Sequence, residues 1–181
     1  AVGTALAMYV VRMFAVTGFL HRYFSHRSFR TSRAFQLVMG IWSGTTVQRG
    51  PMWWAAHHRL HHVRSDQPPD VHSPVQHGFW WSHMGWIMAK ANFPTHVKMV
   101  ADLQRFPELR FLDRYDTLVP ALYAFAMLGF GALLHAVAPA LGTNAWQMLV
   151  WGFVISTIAL FHGTGTINSL AHQVGSKRFQ T

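Results

Sequence analysis

The chain has 181 residues, of which 51% are hydrophobic and only 12% charged, with 15 Lys and Arg against 6 Asp and Glu for a net charge of +9. A soluble domain carries about 25% charged residues, so the composition excludes an ordinary water-facing surface, and the lack of cysteine excludes disulfides and thiolate metal sites. The basic residues form no groove-reading motif and are interleaved with Trp and apolar runs, so no nucleic acid is expected and an anionic membrane face is the expected partner.

Ala1 lies inside an apolar stretch with no charged leader and no small-residue cleavage site. No signal peptide is therefore expected, and the chain reads as the interior of a longer protein. Residues 1–20, apolar apart from Arg12, run into His21 and read as the end of a transmembrane helix, given the roughly 20 apolar residues a span needs. Residues 34–49 carry Gln36, Ser43, Thr45, Thr46 and Gln48 and stop at Gly50-Pro51, which predicts a helix lying in the interface. Residues 52–64 predict a helix starting after Pro51, and 65–78 carry loop chemistry (Ser-Asp-Gln-Pro-Pro-Asp and His-Ser-Pro). Residues 79–90, with Phe79, Trp80, Trp81 and Trp86, predict a second interfacial helix. Residues 117–141 and 144–167 predict a transmembrane hairpin turning at Gly142-Thr143-Asn144, and 168–181 emerge beyond it.

Of the 15 Lys and Arg, Arg12 lies within the first stretch and the other 14 fall on one side of this topology. The positive-inside rule makes that side cytoplasmic. The expected fold is all-α: one membrane helical bundle over 1–181, with cytoplasmic interfacial helices over 21–116 forming a His-rich cap.

His58, His61 and His62 stand at i, i+3 and i+4, on one helix face. Neutral imidazoles gathered there are satisfied by a metal, whereas a wet basic helix surface is the plain alternative. His57 lies about 100° round the helix from His58 and is expected to orient a ligand or to be exposed. His21 and His26 are five apart, about 140° on a straight helix, and converge only at a helix end or a distorted turn. Asn168 and His172, four apart, share a face. His72 and His83 are candidates to orient a ligand without touching the metal. Glu108 is the sole Glu and adjoins no histidine, so a carboxylate-bridged site of the Glu-x-x-His kind is not expected. Softness favours iron, zinc or copper, and His-Glu-x-x-His of zinc hydrolases is absent. His135 is expected to be structural; His162, inside the last span, is expected to hydrogen-bond in the bundle or to line a tunnel.

These residues resemble a known family. His21-Arg-Tyr-Phe-Ser-His26 resembles the first histidine box of the membrane-bound acyl-CoA (delta-9 type, stearoyl-CoA-like) fatty acid desaturases, and Trp53-Trp54-Ala-Ala-His57-His58-Arg-Leu-His61-His62 resembles their second. Asp70-Val-His-Ser-Pro74, Gly78-Phe-Trp-Trp-Ser-His83-Met-Gly-Trp86 and Asn168-Ser-Leu-Ala-His172 are similar to the segments that follow, in the same order. The resemblance implies four transmembrane helices, a cytoplasmic cap and two iron ions (Fe2+). By position it makes His21, His26, His58, His61, His62 and His172 iron ligands, with Asn168 acting through a water. The third histidine box is not found up to Thr181, nor is most of the first membrane hairpin, so this chain alone is expected to bind iron incompletely and to be inactive. Val71 stands where relatives often have Pro. His57 stands where some have Asp, a change that bears on head-group recognition.

The implied activity is O2-dependent introduction of a cis double bond into a saturated acyl chain, as acyl-CoA or acyl-lipid, near carbon 9. Electrons would come from a separate donor of the cytochrome b5 or ferredoxin type. The rival readings are a membrane di-iron hydroxylase and a non-catalytic membrane metal-binding or transport protein.

Overall fold

The computed structural model describes residues 1–175, and every regular element among them is helical. Six helices organise the chain. Helix α1 (Val2–Ser25) is α-helical over Val2–Phe14 and π-helical over Ala15–Ser25. Helices α2 (Arg33–Gly44), α3 (Pro51–Arg64) and α4 (Pro107–Arg114) belong to the cap. Helices α5 (Leu118–Val137) and α6 (Ala145–Gln173) form a hairpin. α1, α5 and α6 are long and apolar enough to cross a membrane. α2 is not: its 12 residues reach about 18 Å against a hydrocarbon core of about 30 Å. Side chains such as Phe125, Leu133, Trp146 and Ile167 stay exposed on the hairpin, as lipid-facing positions do.

The boundaries that differ from the sequence expectation include the end of α2, at Gly44 rather than 49; three others have a local reason. The first arm of the hairpin ends at Val137, because Pro139 opens a 3-10 turn that closes on Gly142 in the left-handed region (φ 60°). The second arm runs to Gln173 rather than 167, since neither Gly nor Pro occurs between Gly165 and Gly175 (φ 116°). Asn168 and His172 therefore ride on the same continuous helix as the second arm. The aromatic segment is one helix over 79–88, starting after Gly78 (φ 84°), with a π-helical turn at Trp81–Gly85; it ends two residues short of the expectation, at Ala89, whose backbone is extended (φ −75°, ψ 123°), and a 3-10 turn follows at Lys90–Asn92. The last turn is tied back to α3, where Trp53 Nε1 donates to the Asn92 carbonyl (2.8 Å).

The core lies where the π-helical end of α1 meets α2, α3 and α4. Leu20, Phe24, Met39, Ala55, Ala56, Val100 and Leu109 are fully buried there. Two polar joints lock this core. Asp113 on α4 accepts from the Trp53 N–H (2.7 Å) and from Thr95 Oγ1 (2.6 Å), placing a carboxylate at the α3 N-terminus, where donors are unpaired and the helix dipole favours it. Burial nonetheless pushes the Asp113 carboxyl up. Arg59 on α3 uses all five of its N–H donors. It donates to the carbonyls of Phe24 (2.6 Å), Ser25 (3.0 Å) and Met99 (2.8 Å) and, bidentately, to Asp102 (2.7 and 3.2 Å). Within the spans, Arg12 is 2% exposed and donates to Ser156 Oγ (2.8 Å) and Thr157 Oγ1 (2.7 Å) on α6, facing the bundle interior as an intramembrane cation must.

Gly165 lets the Trp81–Gly85 turn lie directly on α6: a Cβ there would stand 2.5 Å from the His83 carbonyl oxygen. Backbone cannot yield as a flexible side chain does, so Gly165→Ala is expected to destabilise by about 1–3 kcal/mol. Gly129→Ala, with open space around it, is expected to be neutral or slightly stabilising. Thermal unfolding of the two variants in detergent checks this.

Candidate metal centre

Two groups of side chains that could hold a metal ion form side by side. The first is His21 and His26 from α1 with His58 and His62 from α3. Histidines five apart diverge on an α-helix, but the end of α1 is π-helical. The His26 N–H donates to the His21 carbonyl (3.1 Å), an i→i+5 bond. The wider turn brings the two rings edge to face, with centroids 4.5 Å apart. This is the distorted turn the sequence required. His58 and His62, one turn apart on α3, face them, and Trp54 stacks on His58 (4.8 Å).

The four Nε2 atoms point at one another. His26 Nε2 lies 3.1 Å from His21 Nε2 and 3.0 Å from His58 Nε2, which lies 3.0 Å from His62 Nε2. A neutral imidazole nitrogen has either one proton or one lone pair to offer. His26 and His58 each stand in two such contacts, so the three contacts cannot all be hydrogen bonds. A shared cation satisfies all four lone pairs together. Ligands at right angles with metal–nitrogen bonds of about 2.1 Å stand about 3 Å apart, which is the spacing found. Burial, then repulsion from His62, His21, His26 and His61, lowers His58 to about 2, and burial followed by the charges of His26 and His61 lowers His62.

The second group centres on His61. It shares a helix face with His58 and His62 in the sequence, yet it turns to the neighbouring group of His61, Asp70 and His72. Its ring lies 4.3 Å from His72 and 5.1 Å from His172. His61 Nδ1–H donates to Asp70 Oδ2 (2.7 Å), and His172 Nδ1–H donates to Asp66 Oδ2 (3.4 Å). A carboxylate on Nδ1 fixes the tautomer that leaves Nε2 free for a metal. Asp70 is 1% exposed and also accepts the Asp66 N–H (3.0 Å). Burial opposes its negative charge, but the hydrogen bond from His61 and the charges of His72 and His61 outweigh this and hold the carboxyl below its usual range. Sequence reasoning missed the parts of Asp66, Asp70 and Arg59. Asp70 lay within a quoted motif, and its spacing of nine from His61 across a loop gave no periodic signal.

The remaining candidates line a small cavity between the groups. It has a volume of about 40 Å³ and is walled by His57, His58, His72, His83, Thr164 and Asn168, among others, room for about two or three waters. Asn168 faces it, consistent with a water-mediated role. His57 is buried and donates from Nδ1 to the Trp53 carbonyl (3.0 Å), with Nε2 left unpartnered. Burial lowers His57 to about 4; burial, then repulsion from His61, lowers His72 to about 3. His83 is satisfied elsewhere. Ser169 Oγ spends its proton on the Gly165 carbonyl (2.7 Å), so His83 Nδ1–H donates to Ser169 (2.9 Å) and His83 Nε2 accepts from His162 Nδ1 (3.0 Å). His135 pairs with the Thr143 carbonyl at the hairpin turn (3.2 Å). Gln48 bridges the cavity wall, accepting from Trp54 Nε1 (3.1 Å) and donating to Thr164 Oγ1 (2.9 Å). Ile87 and Phe161 separate the small cavity from an apolar one of about 600 Å³ that His162, Met88, Pro120 and Ile158 also line.

A sequence model of the family described as fatty acid desaturase matches residues 1–181. The chain belongs to the fatty acid desaturase family. It is similar to the sn-1 stearoyl-lipid 9-desaturase of Anabaena variabilis, 31% identical over 183 residues covering 99% of this chain and 61% of the relative. It is also similar to the enzyme of the same name from Synechocystis sp. (31% identical, 97% and 51% covered). The icosanoyl-CoA 5-desaturase of Limnanthes douglasii is 31% identical over 92% of this chain and 44% of its own length. The chain thus spans about half of the length of these desaturases.

Asp70→Asn removes the charge that orients His61 while keeping its shape. Affinity for a transition ion is expected to fall about 10–100-fold, measured by chelator competition with Co2+. Asp113→Asn, at the far end of α3, is expected to leave that affinity unchanged.

Proposed function

We propose that this chain carries most of the reaction centre of an O2-dependent desaturase acting on a saturated fatty acyl chain, with two iron ions held by the two histidine groups. The observation that carries the reading is the meeting of four Nε2 atoms at 3.0–3.1 Å beside a second histidine set whose Nδ1 atoms are engaged by carboxylates. His21, His26, His58 and His62 would hold one ion, and His61 and His172 the other, with Asn168 acting through a water. His57 and His72 shape the cavity between them. Bound iron would activate O2, the oxidant that an unactivated methylene C–H demands, which no side chain can do.

The chain's own residues do the rest. Neutral imidazoles leave the lone pairs free, and Asp70 and Asp66 hold the second set in one tautomer. The apolar cavity between the Trp86–Met88 turn, α5 and α6 is within the usual size range for a small-molecule site. It accommodates the acyl tail, with Ile87 and Phe161 at the passage towards the histidines. Methylene position would then follow from how deep the chain lies when a C–H pair reaches the small cavity. The active site faces the cytoplasm on the basic side, and electrons arrive from a separate cytochrome b5- or ferredoxin-type donor. The carrier is CoA or a membrane lipid, both of which occur in the names of relatives.

Membranes containing the full-length protein, supplied with labelled stearoyl-CoA or stearoyl-lipid, are expected to yield a cis-alkenoyl product with no alcohol, and two iron ions per protein. His58→Ala is expected to abolish the product (more than about 100-fold loss, one disrupted metal ligand set) and lower iron content, while His135→Ala leaves both unchanged. An alcohol product would favour the hydroxylase reading; unchanged iron and product in His58→Ala would refute the site.

A further inference from the structure

A third cavity, of about 650 Å³, is lined by none of the grouped histidines but by Arg27, Arg30, Arg33 and Arg105 together with Asp102, Gln36 and Phe106. Its positive charge is under-compensated. Arg33 is matched bidentately by Glu108 (2.7 and 2.8 Å). Arg27 shares Asp102 with Arg59 (2.7 Å each), two cations on one carboxylate. Arg30 and Arg105 have no carboxylate partner among the described residues, Arg105 lying over the Phe106 ring at 4.7 Å. Gln36 is 4% exposed, and its amide nitrogen has no partner once the side-chain oxygen has accepted from Tyr23 Oη (3.2 Å). Arg27 holds a left-handed backbone (φ 52°), strain that a non-glycine residue keeps where its surroundings impose it. Guanidinium groups lining a recess with too few carboxylates to match them are the chemistry of a phosphate site.

The surroundings say which phosphate. α2 starts at this cavity, and its outward face presents Phe35, Val38 and Ile41, with Phe29 exposed nearby. An apolar stripe ending in arginines is the pattern of a helix lying at the level of lipid head groups. A recess of this size suits a small molecule rather than the convex face of a protein. We propose that this cavity holds the phosphate of an anionic membrane phospholipid. The inference rests on the membrane placement and not on desaturation.

The test uses the full-length, iron-loaded protein in neutral detergent. Short-chain phosphatidylglycerol, short-chain phosphatidylcholine and inorganic phosphate are each titrated while thermal unfolding is followed. Phosphatidylglycerol is expected to raise the midpoint by about 4 °C at saturation, and neither other probe is expected to match it at equal concentration. Arg30→Gln/Arg105→Gln is expected to weaken phosphatidylglycerol at least about tenfold, with iron content and the lipid-free midpoint unchanged. Arg110→Gln/Arg114→Gln, which removes the same charge outside the cavity, is expected to bind as the wild type does. The proposal is overturned if phosphatidylcholine or inorganic phosphate gives the same shift, if the two double variants behave alike, or if Arg30→Gln/Arg105→Gln loses affinity only for an acidic ferredoxin or cytochrome. Should the double variant fail to fold, Arg30→Gln alone carries the same comparison. Loss of alkene product with lipid binding retained would count against the desaturase reading alone.

Discussion

All five N–H groups of Arg59 are spent between segments far apart in the chain: the last carbonyls of α1, the carbonyl of Met99 and the Asp102 carboxylate. A π-helical end leaves its final carbonyls without partners in the helix, and Arg59 supplies them. Because it stands next to His58, the same bonds set α3 against the turn that carries His21 and His26. A guanidinium is suited to this: planar, permanently charged and able to meet a carboxylate and carbonyls at once. An ammonium in its place would leave buried carbonyls unsatisfied, a cost of about 1–3 kcal/mol for each.

Once the two helices are joined, the histidines face an electrostatic problem that shapes the whole centre. Four imidazoles packed together cannot all be protonated, and burial depresses the charged form of His58 further. The result is a set of neutral lone pairs that repel one another unless a cation lies among them. The second group solves the related problem of orientation differently, with Asp70 and Asp66 on the outer nitrogens of His61 and His172. One group is thus organised by helix geometry and the other by carboxylates on a loop, and α3 serves both from adjacent positions. That division suits two metals at one reaction centre.

Much of this was legible in the residues. Apolar runs marked α1, α5 and α6, and the polar residues of 34–49 marked α2 as too short and too polar to cross. The histidine spacings identified the ligand candidates. What could not be read was how His21 and His26 meet, because five-residue spacing is wrong for an α-helix and nothing local announces a π-helical end. Nor could periodicity show that His61 leaves its neighbours, since that depends on Asp70 from a loop with no repeat. The aromatic segment 79–90 was legible as a helix, but its π-helical turn at Trp81–Gly85 and its end at Ala89 were not. The extension of α6 to Gln173 was hidden by polar residues that look like an exit from the membrane but keep helical geometry.

The central claim is that imidazoles from α1 and α3 enclose one metal ion while His61 and His172 serve another. Anomalous scattering at the iron edge, from crystals of the full-length protein loaded with iron, tests it most directly. The account predicts two peaks: one amid the Nε2 atoms of His21, His26, His58 and His62, the other beside His61 and His172. Iron bound elsewhere, or a single peak clear of the His21–His58 group, would contradict it.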